Sequence, residues 1–296
     1  MNNRNNMAQP LSFAPITMAQ AKQVESVRRA FGNTLYVYTF ASLFAWQEDE
    51  QYTICLCDDG FLVKNAAEGA HAYLFPCGSD SKKKALIDAL LSYEKPVFGC
   101  MTEEDRQFLE ENYPGLFAFE ECRNEFPYLY DKDAQIALRG KGYKSLRHQI
   151  NIGRAAAKEW TVIPLSEENV TRALSLNRRW AQSKGINDLA DVRAAETALT
   201  HFSELSLWGL LFQADGRDLA YVVGTFITPQ IFDVSFCKVL DNRCDCYIKW
   251  ELYRNLPQET KTVNSEEDLG LEGLRRHKLL RQPKELTRIW KGIYQL

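Results

Sequence analysis

Between residues 207 and 239 three strand-like runs follow one another almost without interruption: 207–213, 219–228 and 231–239, parted by Asp215-Gly216-Arg217 and by Pro229. Connections this short cannot carry a crossover helix, so the three strands are predicted to be antiparallel neighbours in one sheet. A strand at 161–165 and helices at 167–184 and 190–205 precede this meander. After it come a helix at 246–256 that stops before Pro257, a strand at 261–264 and a closing helix.

The first half reads as a helix at 18–31, strands at 35–40, 52–57, 61–64 and 71–76, a helix at 81–93 and a strand at 97–101. A helix opened by Thr102 and Asp105 and closed by Pro114-Gly115, then a strand at 117–121, complete it. A hinge-like segment, 125–134, leads into Leu138-Arg-Gly-Lys-Gly142 and a helix over 143–159. The expected division is therefore an N-terminal domain at 15–135 and a C-terminal domain at 136–296. The element order of the second half resembles the GNAT (N-acetyltransferase) superfamily, and the first half a looser version. The implied fold class is α/β (α+β): tandem GNAT-like folds with mixed, mostly antiparallel sheets flanked by helices.

Composition narrows the function. With 45% hydrophobic and 25% charged residues the chain has the balance of a water-soluble globular protein. A net charge of −3 argues against a dedicated nucleic-acid binder, which needs a basic surface to displace counterions, and leaves room for a local basic patch. The eight cysteines sit mostly in apolar runs, no Cys-x-x-Cys pair occurs and the four histidines are scattered, so no metal site is expected. The first ten residues have no signal-peptide core, and no apolar run is long enough for an integral membrane segment; a reducing cytoplasm is the expected setting.

Charge concentrates in two places. Arg139, Lys141, Lys144, Arg147, His148, Arg154 and Lys158 gather around the 143–159 helix beside Gly140 and Gly142. Such a strip suits a phosphate or nucleic-acid contact, or else a solvated helix face. The second place is the closing stretch 264–278, Asn-Ser-Glu-Glu-Asp-Leu-Gly-Leu-Glu-Gly-Leu-Arg-Arg-His-Lys. On a helical wheel Leu271, Leu274, Arg275 and Lys278 share one face, so two cations are expected on a core-facing stripe and require anionic partners. Glu266, Glu267 and Asp268 could be those partners, a ligand could be another, and Ser265 with Asp268 resembles a capping box.

Tyr128-Leu-Tyr130, Leu138-Arg-Gly-Lys-Gly-Tyr143, Arg147, Ile150-Asn151 and the 264–278 stretch resemble the C-terminal domain of bacterial phosphatidylglycerol lysyltransferases, and more closely the soluble proteins built from that domain alone. The resemblance covers roughly residues 15–290 and implies two acyltransferase-type folds, akin to the Fem-type aminoacyltransferases. It implies transfer of an acyl or aminoacyl group from an activated donor such as aminoacyl-tRNA to an amine or hydroxyl of a small-molecule or peptide acceptor. On this reading Glu266, Asp268 and Lys278 are candidate catalytic residues. Arg275, Lys238, Arg147, Lys141 and Asn264 are candidate substrate contacts. Two alternatives stand beside it: an acyl-coenzyme A-dependent N-acyltransferase with its donor near Cys77-Gly78-Ser79, and a non-catalytic ligand-binding protein. Against coenzyme A in the second half, the loop 238–246 has no glycine to let a backbone approach a pyrophosphate.

Overall fold

The computed structural model describes residues 10–157, 160–185 and 190–295, so the predicted helix end at Lys158 and Glu159 lies outside the described residues. Compactness divides the chain into two units. One runs through Arg123 and resumes at Arg288; the other is Asn124–Thr287. The boundary expected at 135/136 falls within the helix Lys132–Ala137.

The first unit contains β1 (Ala14–Pro15), α1 (Ala21–Ala30), α2 (Phe40–Trp46), β2 (Tyr52–Cys57), β3 (Gly60–Asn65), β4 (Ala72–Leu74), β5 (Cys77–Gly78), α3 (Asp80–Leu91), β6 (Val97–Met101), α4 (Glu103–Asn112) and β7 (Phe117–Glu121). The second contains β8 (Tyr128–Asp131), α5 (Lys132–Ala137), α6 (Lys144–Ala156), β9 (Thr161–Pro164), α7 (Val170–Ser183), α8 (Ala190–Thr200), β10 (Trp208–Ala214), β11 (Arg217–Thr228), β12 (Ile231–Val239), α9 (Asp245–Asn255), β13 (Thr262–Asn264), α10 (Glu272–Leu280) and β14 (Glu285–Leu286). A last strand, β15 (Trp290–Tyr294), enters the first unit's sheet between β6 and β7.

That sheet has the order β1-β2-β3-β4-β6-β15-β7, with β5 beside β3, and the second has the order β14-β8-β13-β12-β11-β10-β9. Both are mixed and mostly antiparallel: the parallel pairs are β4 with β6 and β12 with β13. Helices α3 and α9 make the crossovers that parallel neighbours require. The predicted fold class is what the chain adopts.

Local chemistry accounts for many of these elements. Asp215 and Gly216, at φ 49° and 71°, form the two-residue left-handed turn that matches strand twist, and Ala214 pairs with Arg217 across it. Thr102 and Asp105 form the expected capping box at the start of α4. Burial then fixes each layer. Phe75 and Phe98 meet edge to face at 5.6 Å in the first core, and Phe226 and Phe232 at 5.0 Å in the second. Such pairs contribute about 0.5–1.5 kcal/mol beyond the area they bury.

Four expectations are corrected. The aromatic run 35–40 is not a strand: Tyr36–Tyr38 makes a 3₁₀ turn, and Thr39 accepts a hydrogen bond from Ser42 N to start α2. The fully buried Tyr38 is anchored by its hydroxyl, so tertiary contacts override β propensity. The hinge-like segment 125–134 contains β8, which pairs with both β13 and β14, and the start of α5. Ser265 and Asp268 do not cap the last helix, because α10 begins at Glu272 and the Asp268 carboxylate is held by other partners. Leu271, expected on the core stripe, is 58% exposed.

Candidate functional site

β12 and β13 pair through Asp233↔Asn264 and then part. The fork is reinforced from the other side. The β11 ladder shifts register between Val223 and Thr225, and a Cβ on Gly224 would lie 1.8 Å from the Asp233 carbonyl oxygen. Only glycine permits that approach, and the irregularity bends β12 where it leaves its partner.

At the mouth of this fork sits Asp233, 1% exposed. Its Oδ2 accepts from Ser235 Oγ at 2.9 Å, while its Oδ1 is buried with no hydrogen-bond partner among the described residues. Burial pushes its carboxyl up to about 7, against the Ser235 hydrogen bond and with a further push from Glu267. Glu266 is raised well above the usual carboxylate range, first by burial, then by the charges of Asp233 and Glu267, with a smaller contribution from Asp191. The Lys278 ammonium, brought in by α10, is pushed down to about 8 by burial, against the pull of Glu266. Lys278 Nζ donates to the carbonyls of Ser265 and Glu266 and lies 5.6 Å from the centre of the Tyr128 ring.

The backbone that carries Glu266 is strained. Its φ is 55°, a left-handed value that costs a non-glycine residue about 1–2 kcal/mol. The surroundings hold it there. Asn264, almost fully buried, accepts from Glu266 N at 2.8 Å, Tyr128 N donates to Glu266 O at 3.1 Å and Ser265 N to Tyr128 O at 3.0 Å.

Asp268 has a different part. Tyr128 Oη donates to it at 2.5 Å, Gly270 N at 2.9 Å, and Arg275 Nε and Nη2 at 2.8 Å each. The Arg275 hydrogen bonds hold its carboxyl well below the usual range. Arg275 Nη2 also donates to Asn124 Oδ1 at 2.8 Å, so the pair fastens the 265–271 loop to the start of the unit.

Glu266, Asp268, Arg275, Lys278 and Asn264 are thus brought together. Lys238 is not in direct contact with them: its buried ammonium pairs with Asp191 and lies 4.4 Å from the centre of the Trp180 ring. Arg147 bonds the carbonyls of Leu138 and Gly140, the latter at 2.8 Å, and orders that loop, while Lys141 is exposed on it. Sequence reasoning missed Asp233. The signal was an acid inside the otherwise apolar run Ile231-Phe-Asp-Val-Ser-Phe, where a buried charge needs a reason.

Two other places carry groups that a metal ion or a phosphate could use. Asp245, Cys246 and His277 bring one potential metal-ligand atom each to within 4.8 Å of one another. The Asp245 carboxylate already holds Lys249 at 3.0 Å, His277 at 2.8 Å and Arg281 at 3.3 Å, and two fixed cations beside a single carboxylate oppose a metal ion. The start of α9 is also closed to a pyrophosphate backbone approach: a Cβ on Gly153 of α6 would lie 3.0 Å from Arg243 O and 3.3 Å from Cys244 Cα. In the first unit the start of α3 already has its anion, because Ser79 Oγ donates to Asp59 Oδ2 at 3.0 Å and Lys82 pairs with Asp59 at 3.1 Å.

The family described as phosphatidylglycerol lysyltransferase, C-terminal, matches residues 28–290. The chain belongs to that family. Among solved structures, a conserved protein of unknown function from Bacteroides thetaiotaomicron is 25% identical, covers 96% of this chain and 100% of its own, and superposes with a TM-score of 0.87. The C-terminal domain of a putative lysylphosphatidylglycerol synthetase from Agrobacterium fabrum is 10% identical, with coverage of 95% and 93% and a TM-score of 0.67. FemX is 8% identical, with coverage of 96% and 97% and a TM-score of 0.60. No curated protein matches the sequence. The lysyltransferase C-terminal family therefore appears here in its tandem GNAT-like architecture, a fold shared with transferases, and no helix among the described residues is long and apolar enough to cross a membrane.

Proposed function

We propose that the second unit transfers an acyl or aminoacyl group from an activated ester donor, such as aminoacyl-tRNA, to an amine or hydroxyl of a small-molecule or peptide acceptor. The observation that carries the reading is the unpartnered Asp233 Oδ1, buried at the fork beside Glu266 and Lys278. A carboxyl pushed up to about 7 is matched to proton transfer at neutral pH. The acceptor's lone pair attacks the ester carbonyl, its proton passes to the Asp233–Glu266 couple, and Lys278 steadies the oxyanion. The tetrahedral intermediate then breaks its bond to the donor oxygen, which takes the proton. Asp268 and Arg275 act by positioning, since the Asp268 carboxylate holds four hydrogen bonds.

Charge and family membership both favour an aminoacyl-tRNA donor. From Ala134 to Ala157 there is no acid, and Arg139, Lys141, Lys144, Arg147 and Arg154 supply five cations. Such a strip attracts a polyanion with a strong salt dependence. Coenzyme A is the weaker alternative, because the start of α3 holds its own acid and the start of α9 is covered. The test is discharge of radiolabelled aminoacyl-tRNA by the whole chain in the presence of pooled amines and peptides. Protein-dependent loss of label from tRNA, reduced ~10²-fold in Asp233→Asn, is expected; no discharge, or unchanged discharge in the variant, overturns the reading.

A further inference from the structure

A concavity in the same unit, about 420 Å³, is lined by Asp133, Ala134, Ala137, Arg139 and Tyr143. Its volume lies within the ~300–1,000 Å³ of small-molecule sites. It is built rather than incidental. Asp131 Oδ1 accepts from Ala134 N at 2.8 Å and caps α5, which ends at Leu138 in a left-handed conformation, φ 48°. Arg147 ties the carbonyls on either side of Arg139, those of Leu138 and Gly140, so the loop that carries Arg139 is fixed. Gly140, at φ 90°, takes a conformation that side chains resist. Tyr143 is held by its packing on the cluster of Leu138, Leu146, Ile150 and Cys246.

The lining has a distinct chemistry. Ala134 and Ala137, three apart on one helical face, leave a low apolar floor, and Tyr143 makes an aromatic wall. Arg139 and Asp133 are exposed, and neither forms a hydrogen bond or ion pair among the described residues. A bare phosphate has no use for the aromatic wall. We propose that this pocket seats a single unstacked nucleotide: its base lies on Tyr143, a base N–H donates to Asp133, and its phosphate meets Arg139. Aromatic stacking of this kind accepts any base, and the carboxylate discriminates among them by their amino and imino groups. The pocket opens at the start of the acid-free strip, which favours a nucleotide within an RNA strand over a free one. The inference rests on the donor reading above only for that source.

The test uses the whole chain and a fluorescent single-stranded RNA hexamer, followed by anisotropy, with AMP, CMP, GMP, UMP, adenosine and inorganic phosphate as competitors. Mononucleotides are expected to compete better than adenosine or phosphate. Tyr143→Phe should bind within about threefold of wild type, whereas Tyr143→Leu and Arg139→Gln should weaken binding at least ~10-fold, the scale of one lost stacking or charged contact. Asp133→Asn should reorder the preference among the four bases. Arg139 is exposed, so its substitution tests the pocket without disturbing the core. Equal competition by phosphate, or unchanged binding in Arg139→Gln and Tyr143→Leu, overturns the proposal. Nucleotide binding that follows these variants in a protein that discharges no aminoacyl-tRNA keeps the pocket and removes the transfer reading; discharge untouched by variants that never bound a nucleotide does the reverse.

Discussion

In the first unit β4 and β6 part after Leu74↔Gly99, and the Tyr38 hydroxyl, 3.0 Å from Phe75 O and 3.3 Å from Cys100 O, joins the two strands just past their last rung. In the second, β12 and β13 part after Asp233↔Asn264, and the space is taken by Asp233, Glu266 and Lys278. One topology therefore ends in two chemistries. Tyr38 is a neutral plug whose hydroxyl serves both strands, and burial raises its pKa well above the usual value, so it does not ionise near neutrality. The second fork keeps Asp233 and Lys278 out of water and Glu266 partly so, with one Asp233 oxygen unsatisfied, which is expensive in a fold and useful in a site. The starts of the crossover helices add to the contrast: α3 is occupied by Asp59, whereas α9 is shielded by α6 at Gly153.

Four substitutions break or sharpen this comparison, taken from the largest effect to the smallest. Asp268→Ala strands Arg275 and Tyr128 beside the second fork. It should lower the urea midpoint more than the other three, because the buried Tyr128 hydroxyl loses its acceptor and Arg275 loses both of its hydrogen bonds to the carboxylate. Asp233→Asn and Glu266→Gln should lower transfer ~10²-fold while the fold persists by circular dichroism; a Tyr38→Phe control should transfer at the wild-type rate.

Stability against pH tests the second fork in a different way. The folded Asp233 carboxyl, at about 7, holds its proton more tightly than the unfolded one, at about 3.9. Native protein is therefore favoured at low pH, and this contribution is lost as pH rises from about 4 to about 7, by up to ~1.4 kcal/mol per unit. Asp233→Asn should remove this share of the loss and leave that of Glu266, so the difference in unfolding free energy between pH 5 and pH 8 should shrink without vanishing. A wild-type profile that the substitution leaves unchanged over that interval would place an ionised, well-solvated carboxylate at the fork. The smallest effect is expected from Tyr38→Phe, which leaves two buried carbonyls short of one donor and should cost about 1–3 kcal/mol with no change in the pH profile.

Much of this protein could be read from residue order. The strand meander, the turn at Asp215-Gly216 and the capping box of α4 follow from local preferences and periodicity, which act over a few residues and leave their marks in the sequence, whereas the mixed sheets were legible only through the resemblance of the element order to a known fold. The cluster of Glu266, Asp268, Arg275 and Lys278 was legible for the same reason: four of these charges lie within one short stretch. What the sequence could not decide was which of them stays free. Asp268 and Glu266 are two residues apart, yet Tyr128, 140 positions earlier, saturates the first with its hydroxyl and strains the second through its backbone. Asp233 joins them only because β12 and β13 run parallel, and β15 completes the first sheet from the far end of the chain. Pairings between distant segments depend on the whole packed sheet, so the identity of the free carboxylate, the plugged fork and the exposed Leu271 belonged to the tertiary structure alone.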